Sequence, residues 1–175
     1  MLIPLQYRLR DCCSYIVVDP QSRECVVVDP TFAIIDCLEL VIDEEELELT
    51  YIIDTHTHSD HASGILMFQE NMECGTIALS HHSKSKRLQK SLKHDDVIKI
   101  GDEKLIVKEL PGHTKDSIIL VADNFVLTGD SLLINSTGRT DWECSDAGLL
   151  YDGIHKYILP LDDSCLVYPS HDYYG

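Results

Sequence analysis

The sequence predicts a single domain, residues 1–175, of the α/β or α+β class, in which sheets pack together and helices cover their outer faces. Three observations support this class. Short β-branched runs alternate with helical patterns in the first half of the chain, and paired strand patterns dominate the second half. No repeat or linker divides the 175 residues, and that length suits one hydrophobic core better than two. Hydrophobic residues make up 44% of the chain, which is an ordinary globular composition.

The first half is expected to alternate strands and helices. Residues 14–18 and 25–29 are rich in Val and Ile and flank a turn that contains Pro and Ser, so we predict two strands there. Apolar residues at helical spacing predict a helix over 31–46, and a strand follows at 49–54. We further predict a helix at 62–69, a strand at 76–79 and a basic helix at 83–92.

The second half is expected to contain hairpins. Residues 97–100 and 104–110 flank a Gly-Asp pair, and residues 117–122 and 125–128 flank an Asp-Asn pair. Two-residue connections of this composition favour antiparallel pairing of their flanking strands. We predict a helix at 146–159 and a last strand at 165–169.

The chain is strongly acidic. Lys and Arg number 14 and Asp and Glu number 30, which gives a formal net charge of −16. Such a surface repels nucleic-acid phosphates and anionic lipid headgroups, so we expect no nucleic-acid and no membrane partner. No export signal is recognisable, and the seven cysteines are interpreted as reduced thiols. We expect a cytoplasmic protein, or one of the mitochondrial matrix if a presequence has been removed. The sequence leaves a homodimer open.

Metal-ligand residue types are concentrated in residues 54–61, which read DTHTHSDH. Three imidazoles and a carboxylate fall within six positions, and these groups bind Zn²⁺, Fe²⁺ or Mn²⁺. In an extended segment His56 and His58 point to the same side, while Asp60 and His61 turn with the loop toward the next helix. The pattern predicts a metal site at the end of this strand.

Three later segments place further ligand types at strand ends. His113 lies in the turn LPGHT, Asp130 follows the strand that ends in LTG, and His171 follows the last predicted strand. Loops at the ends of a rigid sheet are the usual position of functional side chains. Core packing alone does not explain four such segments.

These segments resemble the metallo-β-lactamase superfamily, whose H-x-H-x-D-H motif is matched by residues 56–61. The PGHT, GD and HD segments follow in the order of that family, from about residue 14 to residue 173. The resemblance implies a four-layer αββα sandwich with the metal site at one edge of the paired sheets. Relatives continue past HDY with a segment that helps to cover the site, so we expect either a shortened chain or a more open pocket.

Within the superfamily, residues 138–142 (GRTDW) and 171–173 (HDY) resemble the persulfide dioxygenases. The resemblance implies one Fe(II) per chain, held by His56, His113 and Asp130. Such a centre keeps coordination positions open for the substrates glutathione persulfide and O₂, and the products are sulfite and glutathione. It also implies that Arg139 and Tyr173 contact the substrate.

The remaining motif residues have two interpretations. In a dioxygenase they orient the ligands by hydrogen bonds, whereas in a dinuclear zinc hydroxyacylglutathione hydrolase they bind a second metal with Asp130 bridging. These residues are His58, Asp60, His61 and His171. A third hypothesis is a member of the fold that binds metal without turnover.

Several residues depart from the family pattern or lie outside it. Asp116 stands where relatives usually have Gly, and we expect it to adopt the left-handed backbone that Asp tolerates better than most residues. His81 and His82 are interpreted as the solvated start of the basic helix. His94 and His155 are interpreted as surface or packing residues.

Overall fold

The first sheet contains the segments that lead to the H-x-H-x-D-H motif. The structure is a computed structural model that describes residues 1–58 and 63–174. Among these residues, six strands pair in chain order. The first three pair antiparallel, and the third to the sixth pair parallel. The strands are β1 (Ile3–Leu9), β2 (Cys12–Val18), β3 (Glu24–Val28), β4 (Glu48–Ile53), β5 (Thr76–Ser80) and β6 (Lys90–Leu92).

Two helices provide the crossovers that parallel strands require. α1 (Ile35–Glu44) follows a 3₁₀ turn at Phe32–Ile34 and joins β3 to β4, and α2 (Ile65–Met72) lies between β4 and β5. The buried residues of α1 are Ile35, Leu38 and Ile42, whose spacing gives one apolar stripe toward the sheet. No helix in the described part of the chain is long and apolar enough to cross a membrane.

The second sheet is built mainly from hairpins. In the described ranges its strands run in the order β11-β10-β9-β8-β7. Neighbours pair antiparallel except β10 and β11, which pair parallel across a connection that contains α3 (Ala147–Tyr157). Asp146 caps α3, because its side chain accepts a hydrogen bond of 3.0 Å from the Leu149 amide. The strands are β7 (Val97–Ile100), β8 (Glu103–Glu109), β9 (Ile118–Val121), β10 (Phe125–Gly129) and β11 (Leu166–Pro169).

Three apolar clusters hold four layers together. The central cluster lies between the sheets and includes Val17 of β2 and Leu120 of β9. A second cluster packs the outer face of the first sheet, including Ile16, against α1 and α2. A third packs the second sheet against α3. Because Ile16 and Val17 enter different clusters, β2 is buried on both faces, and the layers follow the order αββα. The predicted α/β class and sandwich are confirmed.

Most of the predicted elements are present, but the basic helix at 83–92 was wrong. Residues 90–92 instead form β6, in which Leu92 pairs with Ser80 and is buried. The preceding segment offers too few apolar positions for a buried helical face, and the Oε1 atom of Gln89 accepts a hydrogen bond from the Ile77 amide. β1 was not predicted. It is an edge strand that contains Pro4, which a sheet tolerates at its edge.

Candidate metal centre

Three strand ends bring His56, His113 and Asp130 together. His56 follows β4, His113 follows β8 through a Pro-Gly turn, and Asp130 follows β10 directly. One ligand atom of each residue lies within 4.8 Å of those of the other two. Nε2 of His113 is 3.5 Å from Oδ2 of Asp130, and Nε2 of His56 is 3.9 Å from the same oxygen. The cluster is buried and has the donor types and spacing that suit a divalent transition metal.

The backbone fixes the tautomer of His113. Its Nδ1 lies 3.0 Å from the carbonyl oxygen of Arg139. Because a carbonyl oxygen only accepts hydrogen bonds, Nδ1 carries the proton, and the lone pair of Nε2 faces Asp130. The indole Nε1–H of Trp142 donates a hydrogen bond of 2.8 Å to the His113 carbonyl and so holds the same loop.

A chain of side chains fixes the tautomer of His56. The Asp29 carboxylate accepts hydrogen bonds from the Thr55 amide at 2.7 Å and from the Thr55 hydroxyl at 2.8 Å. Since that hydroxyl donates its hydrogen to Asp29, its oxygen accepts from Nδ1 of His56, which is 3.0 Å away. Nε2 of His56 is thereby left with its lone pair available to a metal ion.

The two oxygens of Asp130 have different neighbours. The hydroxyl of Ser170 donates a hydrogen bond to Oδ1, and Nε2 of His171 lies 3.6 Å from the same oxygen. Oδ2 faces His56 and His113. Both Ser170 and His171 follow β11, whose parallel pairing with β10 brings them beside Asp130.

His58 belongs to a different group from the three central residues. Its Nε2 lies 3.3 Å from Oδ1 of Asp29 and 3.7 Å from Oδ1 of Asp54. Burial opposes the imidazolium charge, but these carboxylates outweigh it and hold the pKa of His58 well above its ordinary value. Burial raises the pKa of Asp54. The rings of His56 and His58 lie side by side, with their centres 4.2 Å apart, as expected for alternate positions of an extended segment, but Nε2 of His58 is directed at Asp29 and Asp54. Asp60 and His61 lie outside the described residues.

Asp116 joins the two loops that carry His56 and His113. Its carboxylate accepts hydrogen bonds from the Thr57 hydroxyl at 2.5 Å, the Thr57 amide at 3.3 Å and the Thr114 hydroxyl at 2.7 Å. The expectation of a left-handed backbone at Asp116 was wrong, because its φ is not positive. The side chain, and not an unusual backbone, explains how this position accommodates a residue larger than glycine.

A cavity of about 310 Å³ opens onto the cluster. His113 and Asp130 form part of its wall, and the predicted substrate contacts Arg139 and Tyr173 line it as well. The Arg139 guanidinium lies 5.3 Å from the centre of the Trp142 ring. It is also held by the carboxylate of Asp141, at 2.6 Å from Nε and 2.9 Å from Nη2.

Gly138 permits the close packing of this wall. A β-carbon at Gly138 would lie 2.3 Å from the carbonyl oxygen of Asp130 and 2.8 Å from Cγ of His113. The Gly138 amide donates a hydrogen bond of 2.7 Å to that carbonyl. A larger residue would displace both predicted ligands.

Several supporting residues were missed from the sequence, namely Asp29, Thr55, Ser170 and the packing role of Gly138. Asp29 carried a usable signal, because it is a carboxylate at the end of a predicted strand, as Asp130 is. Thr55 and Ser170 each precede a motif histidine, but nothing in the sequence distinguishes them from other hydroxyl residues.

The profile of the metallo-β-lactamase superfamily matches residues 8–171, a span that contains strands β2 to β11 and all residues of the cluster. The chain belongs to the metallo-β-lactamase superfamily. Its relatives within that superfamily indicate a metal-dependent enzyme.

Relatives named as persulfide dioxygenases match the chain throughout. It is 32% identical over 178 residues to the mitochondrial persulfide dioxygenase ETHE1 of Mus musculus, covering 100% of this chain and 70% of that protein. The Homo sapiens enzyme is 33% identical over 164 residues, with coverages of 93% and 64%. The crystal structure of ETHE1 from Myxococcus xanthus superposes with a TM-score of 0.91 at 32% identity. The match covers 100% of this chain and 77% of the Myxococcus chain.

A hydroxyacylglutathione hydrolase of Dictyostelium discoideum is also similar, at 25% identity over 174 residues, 94% of this chain and 63% of the hydrolase. The predicted resemblance to persulfide dioxygenases, with hydroxyacylglutathione hydrolases close by, is confirmed. This member of the metallo-β-lactamase superfamily spans 64–70% of the length of the mammalian relatives given above.

Proposed function

We propose that the protein is an iron-dependent dioxygenase that oxidises glutathione persulfide to sulfite and glutathione. One observation carries the proposal: His56, His113 and Asp130 form a three-ligand cluster, whereas His58 faces another pair of carboxylates. Two imidazoles and one carboxylate with open positions are typical of Fe(II) oxygenases. The similarity to persulfide dioxygenases along the whole chain supports the same function.

The proposed reaction balances without a further reductant. Glutathione persulfide, O₂ and water give glutathione, sulfite and two protons. The two sulfurs of the persulfide together lose four electrons, and O₂ gains the same four. Fe(II) held by His56, His113 and Asp130 would supply the redox chemistry that this exchange requires and that Zn²⁺ does not offer.

The role of the surrounding hydrogen-bonding groups is to orient the three ligands. The Arg139 carbonyl and the Thr55 hydroxyl hold His113 and His56 as Nδ1–H tautomers, so both present Nε2. The Ser170 hydroxyl occupies Oδ1 of Asp130, which favours binding through Oδ2 alone. A carboxylate that uses one oxygen leaves more positions for substrates.

The cavity beside the cluster suits an anionic thiol substrate. Arg139 offers a planar guanidinium that already binds the Asp141 carboxylate through two nitrogens. We propose that a carboxylate of the glutathione moiety takes the same kind of bidentate contact. Lys84 and Lys115 line a neighbouring cavity of about 430 Å³ on which Trp142 also borders. Asp116 and Glu143 line the same cavity, so the two lysines offset local acidic charge in a chain with a net charge of −16.

The thiol chemistry of the chain fits a reducing compartment. All seven cysteines, each within the described residues, are in the thiol form. This supports the proposal that the protein works in the cytoplasm, or in the mitochondrial matrix, where glutathione is kept reduced.

The decisive experiment combines metal analysis with oxygen uptake. Protein purified without chelators should contain close to one iron per chain and should consume O₂ and release sulfite when glutathione persulfide is added. The His113→Ala variant should lose both iron and oxygen uptake. Iron-loaded protein that consumes no O₂ with this substrate would contradict the proposal and support a member that binds metal without turnover.

A zinc hydroxyacylglutathione hydrolase is the alternative, and one distance favours it. Nε2 of His171 lies 3.6 Å from Oδ1 of Asp130, as would suit a second metal bridged by that carboxylate. The similarity to the Dictyostelium hydrolase agrees with this alternative. Two zinc ions per chain together with thioester cleavage would establish it in place of the dioxygenase.

A further inference from the structure

A second cluster of potential ligands lies outside the proposed iron centre. His81 and His82 directly follow β5 of the first sheet, and Glu109 is the last residue of β8 in the second sheet. One ligand atom from each of the three residues lies within 4.8 Å of the others. The cluster therefore connects the ends of strands from two different sheets, and it shares no residue with His56, His113 and Asp130.

The two imidazoles converge on one carboxylate. Nδ1 of His81 lies 2.9 Å from Oε1 of Glu109. The ring centres of His81 and His82 are 3.8 Å apart, so both rings stand on the same side of the turn. The His81 amide donates a hydrogen bond of 2.9 Å to the carbonyl of Leu92 in β6, which anchors the turn that presents them.

His94 holds the same carboxylate oxygen in position. Its amide donates a hydrogen bond of 3.2 Å to Oε1 of Glu109, and its Nδ1 accepts one of 3.1 Å from the Glu109 amide. A ligand carboxylate that is itself hydrogen-bonded has the oriented form found around metal sites in proteins. His94 thus supports Glu109, and its Nδ1 is engaged by the backbone.

We propose that His81, His82 and Glu109 form a second binding site for a divalent transition-metal ion, with Zn²⁺ as the ion its donors suit best. Two neutral imidazoles and a carboxylate are a common zinc donor set, and an open fourth position would be filled by water. The side chains of His81 and Glu109 are 32% and 25% exposed, so an ion reaches them directly from solvent. This site does not depend on the proposed dioxygenase function.

An ion at this site would join the two sheets at the edge that carries the iron ligands. Glu109 lies four residues before His113, and the intervening backbone is the turn that positions that ligand. Binding to the folded state alone raises the apparent stability with ion concentration. A bound ion at this site therefore cross-links the ends of β5 and β8 and stabilises the folded state.

The test is zinc binding to metal-free protein, measured by equilibrium dialysis with a parallel thermal melt. The His113→Ala variant, which lacks a central ligand, should still bind one Zn²⁺ and melt at a higher temperature in its presence. Adding His81→Ala and His82→Ala to that variant should abolish both effects. His155→Ala is the matched control, because its exposed imidazole contacts the Tyr151 carbonyl of its own helix and lies outside the cluster.

Two results would overturn the proposal. One is zinc stoichiometry and melting shift that persist unchanged after both histidines are removed. The other is a folded His113→Ala variant, verified by circular dichroism, that binds no zinc. Should the double substitution prevent folding, Glu109→Gln decides, since it keeps the size of the side chain and removes its charge. It should weaken zinc binding about tenfold or more, and unchanged affinity would refute the site.

Discussion

The Ser170 hydroxyl donates a hydrogen bond to Oδ1 of Asp130, although 40 positions separate the two residues in sequence. Both follow parallel neighbouring strands, β10 and β11, which end at the same edge of the second sheet. The contact engages Oδ1 in a hydrogen bond and leaves Oδ2 facing the imidazoles of His56 and His113.

Ser170→Ala should therefore weaken metal binding. The substitution removes the donor that fixes Oδ1 of Asp130, and loss of such a supporting hydrogen bond costs about 10–100-fold in metal affinity. Competition against a chromogenic chelator measures the change. Ser164→Ala, which alters a surface turn with Asp162, is the control and should bind metal as the parent does. Equal metal affinities for the parent and both variants would contradict the role of Ser170.

Thr55 provides a test of tautomer control at His56. Thr55→Val keeps the shape of the side chain but removes the hydroxyl between Asp29 and His56, so Nδ1 of His56 is no longer fixed as the protonated nitrogen. We expect iron affinity to fall about 10–100-fold. Thr55→Ser retains the hydroxyl and should stay within a few-fold of the parent in the same titration. A valine variant that binds iron as tightly as the serine variant would exclude this role.

Gly138→Ala should disturb both the stability and the centre. A methyl group there would meet the Asp130 carbonyl at 2.3 Å, and overpacking of this kind costs about 1–3 kcal/mol. Urea unfolding should show that loss together with reduced iron content. The matched control is Gly148→Ala in the first turn of α3, where the nearest contact of the added carbon is 3.2 Å. Equal unfolding midpoints for the two variants would argue against the packing constraint.

Arg139→Gln separates substrate binding from metal binding. The hydrogen bond to His113 is made by the backbone carbonyl of Arg139, which glutamine also provides, so iron content should remain at the level of the parent. Loss of a charge-assisted contact of about 1.5–3 kcal/mol should raise the KM for glutathione persulfide about 10–100-fold. Arg23→Gln, which loses only an exposed ion pair with Glu45, is the control. A lower iron content with unchanged KM would show that the Arg139 side chain supports the metal centre and does not bind the substrate.

Cys25 should contribute to unfolding at alkaline pH. Burial raises the pKa of its thiol from 9.0 to about 12 in the folded chain. A raised pKa of an acid means that the folded state holds the proton longer, so stability is full below pH 9 and falls as the pH rises toward 12. The loss approaches about 1.4 kcal/mol per pH unit in this range.

Cys25→Ala should therefore show a shallower decline of unfolding free energy between pH 8 and 10 than the parent, after the constant cost of the smaller side chain is subtracted. The exposed Cys37 gives the control Cys37→Ala, which should keep the slope of the parent. Parallel pH profiles for Cys25→Ala and the parent would show that this thiol does not participate.

The sequence was sufficient to predict those elements whose residue pattern depends only on neighbouring positions in the chain. β2 follows from its run of β-branched residues and α1 from its apolar stripe at helical spacing. The Gly-Asp pair at 101–102 forms the predicted two-residue turn between Ile100 and Glu103. The three predicted iron ligands come together because each follows a strand and those strands end at one edge.

The sequence was insufficient where tertiary contacts decide. The segment 83–92 has the composition of an exposed helix, but pairing with β5 stabilises its last residues as a strand. Asp116 was expected to adopt an unusual backbone, whereas hydrogen bonds to Thr57 and Thr114 explain its place. The direction of the His58 ring depends on Asp29, which is brought near only by parallel pairing of β3 and β4.

The parallel pairing of β10 and β11 also sets an order of assembly during translation. Asp130 emerges from the ribosome with the second sheet, but Ser170 is synthesised 40 residues later, after α3. Until then the carboxylate lacks this hydroxyl, and a nascent chain would hold a metal ion less firmly than the completed protein. Full affinity for a metal ion would in this way require the last strand of the chain.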